Sequence, residues 1–210
     1  MGGRTMNDTY AAVLKGKLDA TGVARLEALA NERLHRFIAD AVALCRPASV
    51  KVCTDDPADI VYVRRRAIET GEEIPLATEG HTVHFDGFYD QGRDKEVTRY
   101  LLPKGAHLGP NLNCTDRQGG FSEVRGYLEG SMEGREMFVR FFCLGPTKSP
   151  FSLSCVQITD SAYVAHSEDL LYRPGYEQFK RVRGDGFFRF LHSAGRLVGR
   201  VSADVDKKRI

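Results

Sequence analysis

No run of about 18 apolar residues occurs anywhere in this chain, so it offers no helix long enough to span a bilayer. The opening MGGRTMNDTY has no apolar core of the kind a secretory signal needs. Neither sign of charge dominates: 30 Lys and Arg face 28 Asp and Glu, for a net charge of +2. That balance gives no electrostatic case for a nucleic-acid or membrane partner. The five cysteines, at 45, 53, 114, 143 and 155, form no CxxC pair, and their number is odd. Cys143 and Cys155 lie inside apolar runs, which predicts reduced, buried thiols in a cytoplasmic protein. Repeats and low-complexity linkers are absent. So are the GxxxxGK[ST] phosphate loop, GxGxxG, the GxSxG nucleophile elbow and HExxH. Ser152 and Ser154 have no base at a spacing that argues for a triad. A self-contained catalyst is hard to assemble from these residues.

What the chain does have is core. Its 210 residues, 42% of them hydrophobic, suit one domain with appendages, with residues 1–20 expected as a flexible N-terminal segment. The organising stretch is Gly134 to Val164, GREMFVRFFCLGPTKSPFSLSCVQITDSAYV. Met137 to Leu144 is apolar except for Arg140, which suits a central strand covered on both faces. Leu153 to Thr159 reads as its partner strand. Pro146 and Pro150 stiffen the GPTKSP connector between them.

Elsewhere, apolar residues at three- and four-residue spacing predict one long helix from Thr21 to Leu44, ended by Arg46-Pro47. A short strand is expected at Ser49 to Thr54. Asp55-Asp56-Pro57 predicts the start of a helix reaching Gly71. Short strands are expected at Thr82 to Phe85 and Thr98 to Leu102, a helix at Asp116 to Gly130, and a strand at Tyr163 to His166. A turn at Leu170 to Tyr176, a helical piece at Tyr176 to Val182 and a strand at Phe187 to His192 complete the pattern. Strands interleaved with helices indicate an α/β protein.

Three polar groups stand out. Arg64-Arg65-Arg66 is the most basic triplet and reads either as a solvated helix face or as a phosphate contact. His81, His84, Asp86 and Asp90 offer metal-ligand types, but positions three apart on a strand point to opposite faces. A small metallohydrolase built on His81, His84 and Asp86 is the least favoured reading. Arg99 sits at the edge of the apolar Tyr100-Leu101-Leu102 and needs an anionic partner, either an internal carboxylate or a ligand carboxylate or phosphate gripped bidentately.

FFCLGPTKSPFSLSCVQITDSAYVAHS resembles the F-x-x-GP-x-x-SP…TDS-x-YV-x-x-S segment of GTP-dependent phosphoenolpyruvate carboxykinases. GREMFV is similar to that family's GR-x-MYV, and FFRFLHSAG to its F-x-x-x-LHS-x-G. DGFYDQGRD departs from the common pattern and suggests a divergent, archaeal-type branch. The resemblance implies an N-terminal lobe with a mixed β-sheet flanked by helices, incomplete at its C-terminal side and spanning 1–210. The family converts oxaloacetate and GTP to phosphoenolpyruvate, GDP and carbon dioxide, with a divalent metal, manganese or magnesium. Its first lobe helps hold the organic acid, and a C-terminal nucleotide-binding domain is the partner absent here. By resemblance Arg99 contacts the carboxylate of oxaloacetate or phosphoenolpyruvate, although Leu101 replaces an acidic residue common in the family. Gly145, Pro146, Ser149 and Pro150 then shape the acid pocket, or else only a rigid turn, while Asp160 and Ser161 brace the turn after the second strand. The family's YGG segment, paired lysines, metal-binding His and Asp, phosphate loop and lid have no counterpart here. The resemblance implies that neither metal nor GTP is held by this segment alone, and that the chain by itself does not turn over. The alternative is a non-catalytic binding module derived from the same lobe.

Overall fold

The computed structural model describes residues 6–85 and 98–195. In chain order these form α1 (Asp8–Leu14), α2 (Ala20–Leu29), α3 (Glu32–Cys45), β1 (Ser49–Val52), α4 (Pro57–Glu69), β2 (Ile74–Pro75) and β3 (Thr82–Val83). They continue with β4 (Tyr100–Leu102), β5 (Cys114–Asp116), α5 (Arg117–Leu128), β6 (Glu136–Leu144), β7 (Leu153–Thr159), α6 (Ala162–Leu171), β8 (Arg173–Pro174), α7 (Tyr176–Phe179) and β9 (Phe188–His192).

The main sheet has the order β1-β6-β7-β9, with β8 also on β6. β1 is parallel to β6, β6 antiparallel to β7, and β7 parallel to β9, so the sheet is mixed. Successive side chains of β6 point to opposite faces, and both faces are covered. Met137, Val139 and Phe141 join Val156 and Ile158 in a core closed by Leu26, Leu34, Ile38 and Phe179. Phe138 turns the other way and packs with Cys53, Val63, Ala67, Ala162 and Ala165 of the β1 end, α4 and α6. A nearly unbroken apolar run is what such a two-sided position requires. The fold is a mixed α/β sheet flanked by helices, as the resemblance implied. The five cysteines are free thiols, four of them buried.

Local signals placed several helices well. Asp56 caps α4 by accepting from the Ala58 N–H at 2.9 Å, with Pro57 in the first turn. Asp116 caps α5 through the Gly119 N–H at 2.9 Å. Two expectations need correction. The helix expected over Thr21 to Leu44 is two helices, because Ala30 turns left-handed (φ 48°) and Asn31 caps a new start, accepting from the Leu34 N–H at 3.1 Å. The apolar stripe runs through both, so periodicity could not show the break; His35 bridges it, its Nε2 lying 2.8 Å from the Leu26 carbonyl oxygen. Tyr163 to His166, expected as a strand, lies within α6. Ser161 caps that helix, its Oγ accepting from the Val164 N–H at 3.1 Å. Within the segment of residues 1–20, expected to be flexible, α1 buries Leu14 in the core.

Candidate functional site

Arg99 lies immediately before β4, in a small unit where β4 pairs in parallel with β5 and both lean on α5. Its Nη1 is 3.3 Å from Glu123 Oε2, and the arginine side chain is 42% exposed. The same Glu123 accepts from the Tyr127 hydroxyl at 3.2 Å. An ion pair this open to solvent contributes about 0–1 kcal/mol, so Glu123 is an easily exchanged partner. Leu101, where the resembled family commonly has an acid, serves packing. A β-carbon at Gly120 of α5 would come within 2.2 Å of Leu101 Cδ2, so strand and helix approach each other through a glycine.

The GPTKSP connector is held mostly by itself. The Ser152 hydroxyl donates to the Pro146 carbonyl, the Ser149 N–H donates to Ser152 Oγ at 3.1 Å, and the Phe151 N–H donates to Ser149 Oγ at 3.2 Å. Gly145 has φ 74°, and a side chain there would meet the Phe151 carbonyl oxygen at 2.6 Å, so glycine is required. Gln178 accepts from the Lys148 N–H at 2.7 Å, and Arg173 donates to the Gly145 carbonyl at 3.2 Å. Pro150 lies within this knot of bonds.

Asp160 and Ser161 are at the other end of the sheet. β7 runs antiparallel to β6, and its seven residues, at about 3.3 Å each, put roughly 20 Å between connector and Asp160. The candidate residues therefore form two separate groups. Asp160 is 6% exposed and heavily bonded. It meets Arg135 Nη2 at 2.5 Å, accepts from Ser193 Oγ at 2.8 Å and from the Ala194 N–H at 3.0 Å. Arg135 also donates to the carbonyls of Ser131 and Gly195. Burial pushes the Asp160 carboxyl above its ordinary value, against the pull of Arg135 and these donors. This node ties the start of β6, the end of β7 and the turn after β9 together.

Ser161 meets Glu72, whose carboxylate also accepts the Ala162 and Tyr163 N–H groups at 3.0 and 3.2 Å. A carboxylate at a helix N-terminus completes orphan donors and complements the helix dipole. Next door, Glu73 accepts from Thr82 Oγ1 at 2.6 Å and lies 2.7 Å from His166 Nδ1.

Of the two candidate histidines His81 is exposed, and His84 is put to structural use. His84 Nδ1 is 2.6 Å from the Glu72 carbonyl oxygen, and its ring stacks on Tyr163 at 3.7 Å between centroids. Asp86 and Asp90 lie outside the described residues. Among the described residues no three His, Cys, Asp or Glu side chains gather as a metal site. The basic triplet is also engaged: Arg64 donates to the Gly80 carbonyl at 2.8 Å, Arg65 pairs with Glu69 at 3.4 Å, and Arg66 reaches Glu69 and Glu136 at 2.7 and 3.3 Å. Sequence reasoning passes over Arg135, Ser193, Glu72 and Glu73. The first two stand inside the GREMFV and LHSAG segments, which is the signal that could have found them.

The match to known proteins is extensive. Residues 36–210 match the model of the phosphoenolpyruvate carboxykinase N-terminal domain. A protein of Thermococcus sibiricus named phosphoenolpyruvate carboxykinase (GTP) is 49% identical over 199 residues, covering 94% of this chain and 32% of the relative. The protein of that name from Thermococcus kodakarensis is 50% identical over the same spans, and that of Chlamydia felis is 33% identical over 169 residues, 79% of this chain and 28% of the relative. The chain thus spans about a third of the length of the curated relatives it matches. With the mixed sheet and the GPTKSP and TDS segments in place, this chain belongs to the phosphoenolpyruvate carboxykinase family and carries its N-terminal domain.

Proposed function

We propose that this chain is the organic-acid side of a GTP-dependent phosphoenolpyruvate carboxykinase, with Arg99 as the anchor for the carboxylate of oxaloacetate or phosphoenolpyruvate. The observation that carries this is the weak hold on Arg99, a half-exposed guanidinium paired with one surface carboxylate at 3.3 Å. A ligand carboxylate takes Glu123's place and is gripped by two parallel N–H···O bonds, a geometry lysine does not offer. The guanidinium then orients the acid; it holds no proton in transit. GTP would supply the phosphoryl group and the divalent metal would polarise it, and on this reading the donors for them lie in the two-thirds of the relatives' length that this chain does not span.

One surface supports a partner lobe. Leu144 and Leu153 pair across β6 and β7, Phe188 pairs with Cys155 and Phe190 with Gln157, so all four apolar side chains share one sheet face. Each is exposed, Phe188 by 55% and Phe190 by 42%. A strip of this kind marks an interaction surface, and the nucleotide-binding region is its proposed cover. The same strip also fits the second reading, a binding module with another partner.

Kinetics of the intact enzyme test the assignment. Arg99→Ala and Arg99→Lys are both expected to lower kcat/KM for both organic acids, with GTP affinity nearly unchanged, because removing one member of a desolvated charge pair costs on the order of 2–5 kcal/mol. Unchanged constants with an unchanged melting curve would return Arg99 to a surface ion pair. The chain alone, assayed with manganese, GTP and oxaloacetate, is expected to be silent, and activity restored by adding the remaining region separates enzyme half from binding module.

A further inference from the structure

The single charge on the central strand between its ends, Arg140, is 4% exposed. It faces the side of the sheet covered by α6, where its Nη2 pairs with Asp169. That bond uses little of what is there. Arg140 Nε and Nη1, Glu168 Oε2 and Asp169 Oδ2 are all buried without a protein hydrogen-bond partner. Arginine offers five N–H donors and each carboxyl oxygen two lone pairs, so the cluster holds both donors and acceptors with nothing to bind. Leaving such groups unmade is costly, and folded proteins avoid it.

Between them is a cavity of about 10 Å³, whose lining includes Arg140, Arg173, Glu168 and Asp169 with Phe142 and Tyr172. That is about the space one water molecule needs. The chemistry of the walls selects among occupants. A cation would meet the guanidinium, and an anion would meet two carboxyl groups. Burial pushes the Glu168 acid up to about 8, with Arg140 opposing. An acid and a guanidinium set side by side call for a small neutral molecule that both donates and accepts. The rings of Phe142 and Tyr172, stacked with centroids 4.6 Å apart, close one side.

We propose that this cavity is a binding site for one structural water, accepting from Arg140 Nη1 or Nε and hydrogen-bonded to Glu168 Oε2 and Asp169 Oδ2. The water joins β6 to the C-terminal half of α6. Glu72 and Ser161 hold the N-terminal half, so the helix is fastened at two points. Without the water the second fastening is one ion pair; with it, all three side chains are engaged.

A crystal structure of the full chain at neutral pH, at a resolution that shows ordered solvent, tests this directly. One water is expected within hydrogen-bonding distance of Arg140 and of at least one of the two carboxyl groups. Water relaxation dispersion in solution should count one long-lived molecule fewer in Glu168→Leu than in the parent, while Glu168→Gln, which keeps donors and acceptors, retains it. Should Glu168→Leu not fold, the parent crystal structure and Glu168→Gln decide alone. An empty cavity, Arg140 turned to bond both carboxyl groups directly, an ion in the density, or an equal count of long-lived waters in parent and Glu168→Leu would each overturn the proposal.

Discussion

Two arginines of the same β6 region meet acids in opposite ways. Arg135, just before the strand, meets an Asp160 whose oxygens also accept from Ser193 and Ala194. Arg140, five residues on, meets Asp169 while two of its own nitrogens and one oxygen of that acid stay unpartnered by protein. Proximity in sequence and likeness of composition do not make equivalent sites. The first is a lock between three chain segments met by protein groups, and the second is a charge under a helix whose remaining bonds other protein groups do not supply. Buried ion pairs stabilise only when their remaining lone pairs and protons are met, because desolvation otherwise offsets the attraction.

Breaking the saturated site should cost most. Asp160→Ala leaves Arg135, the Ser193 hydroxyl and the Ala194 N–H without their acceptor, and a loss of about 3–5 kcal/mol is expected in urea denaturation. A loss below about 1 kcal/mol would erase the contrast between the two sites. The double change Arg140→Met with Asp169→Leu removes a pair that protein groups meet only in part and replaces it with apolar volume. Stability is expected to stay level or rise by about 1–4 kcal/mol. A large loss would place Arg140 beside Arg135 as a lock.

The pH response sharpens the same contrast. Glu168 has its carboxyl raised from 4.5 to about 8 in the fold, mainly by burial. Between those values the native state binds the extra proton, so this group's contribution to stability is greatest toward the acid end and is lost as pH rises through about 8. Glu168→Gln should flatten this slope in urea midpoints measured across the interval, and a parent with no slope to flatten would count against a buried neutral acid. Smallest of all, Arg99→Ala should change folding stability by no more than about 1 kcal/mol, since its pair with Glu123 is exposed. Thermal melting of the isolated chain reads this. A large drop would make Arg99 a structural residue and weaken its assignment to the ligand.

Much was legible in the chain itself because it was local. Asp56-Pro57 and Asp116 announced helices through bonds spanning two or three residues, and the apolar run from Met137 to Leu144 announced a strand buried on both faces. The TDS and LHS segments pointed to the family, and Asp160 and Ser161 to a brace for the following turn, though not to the distant partners they meet. Other features were decided only by distant parts meeting. α6 is a helix at Tyr163 to His166 partly because Glu72, some ninety positions earlier, receives its first N–H groups; a short window there shows aromatic and β-branched residues that suit a strand equally. Asp160 became a lock because the turn after β9 brings Ser193 and Ala194 across to it. The connector and Asp160, neighbours within one short stretch of sequence, ended about 20 Å apart because an antiparallel strand carries its own end away from its beginning. Sequence determined which segments prefer helix or strand, since those preferences are settled by groups a few residues apart. Tertiary structure decided which charges are met and which are left open, since that depends on partners the chain brings together only when it closes.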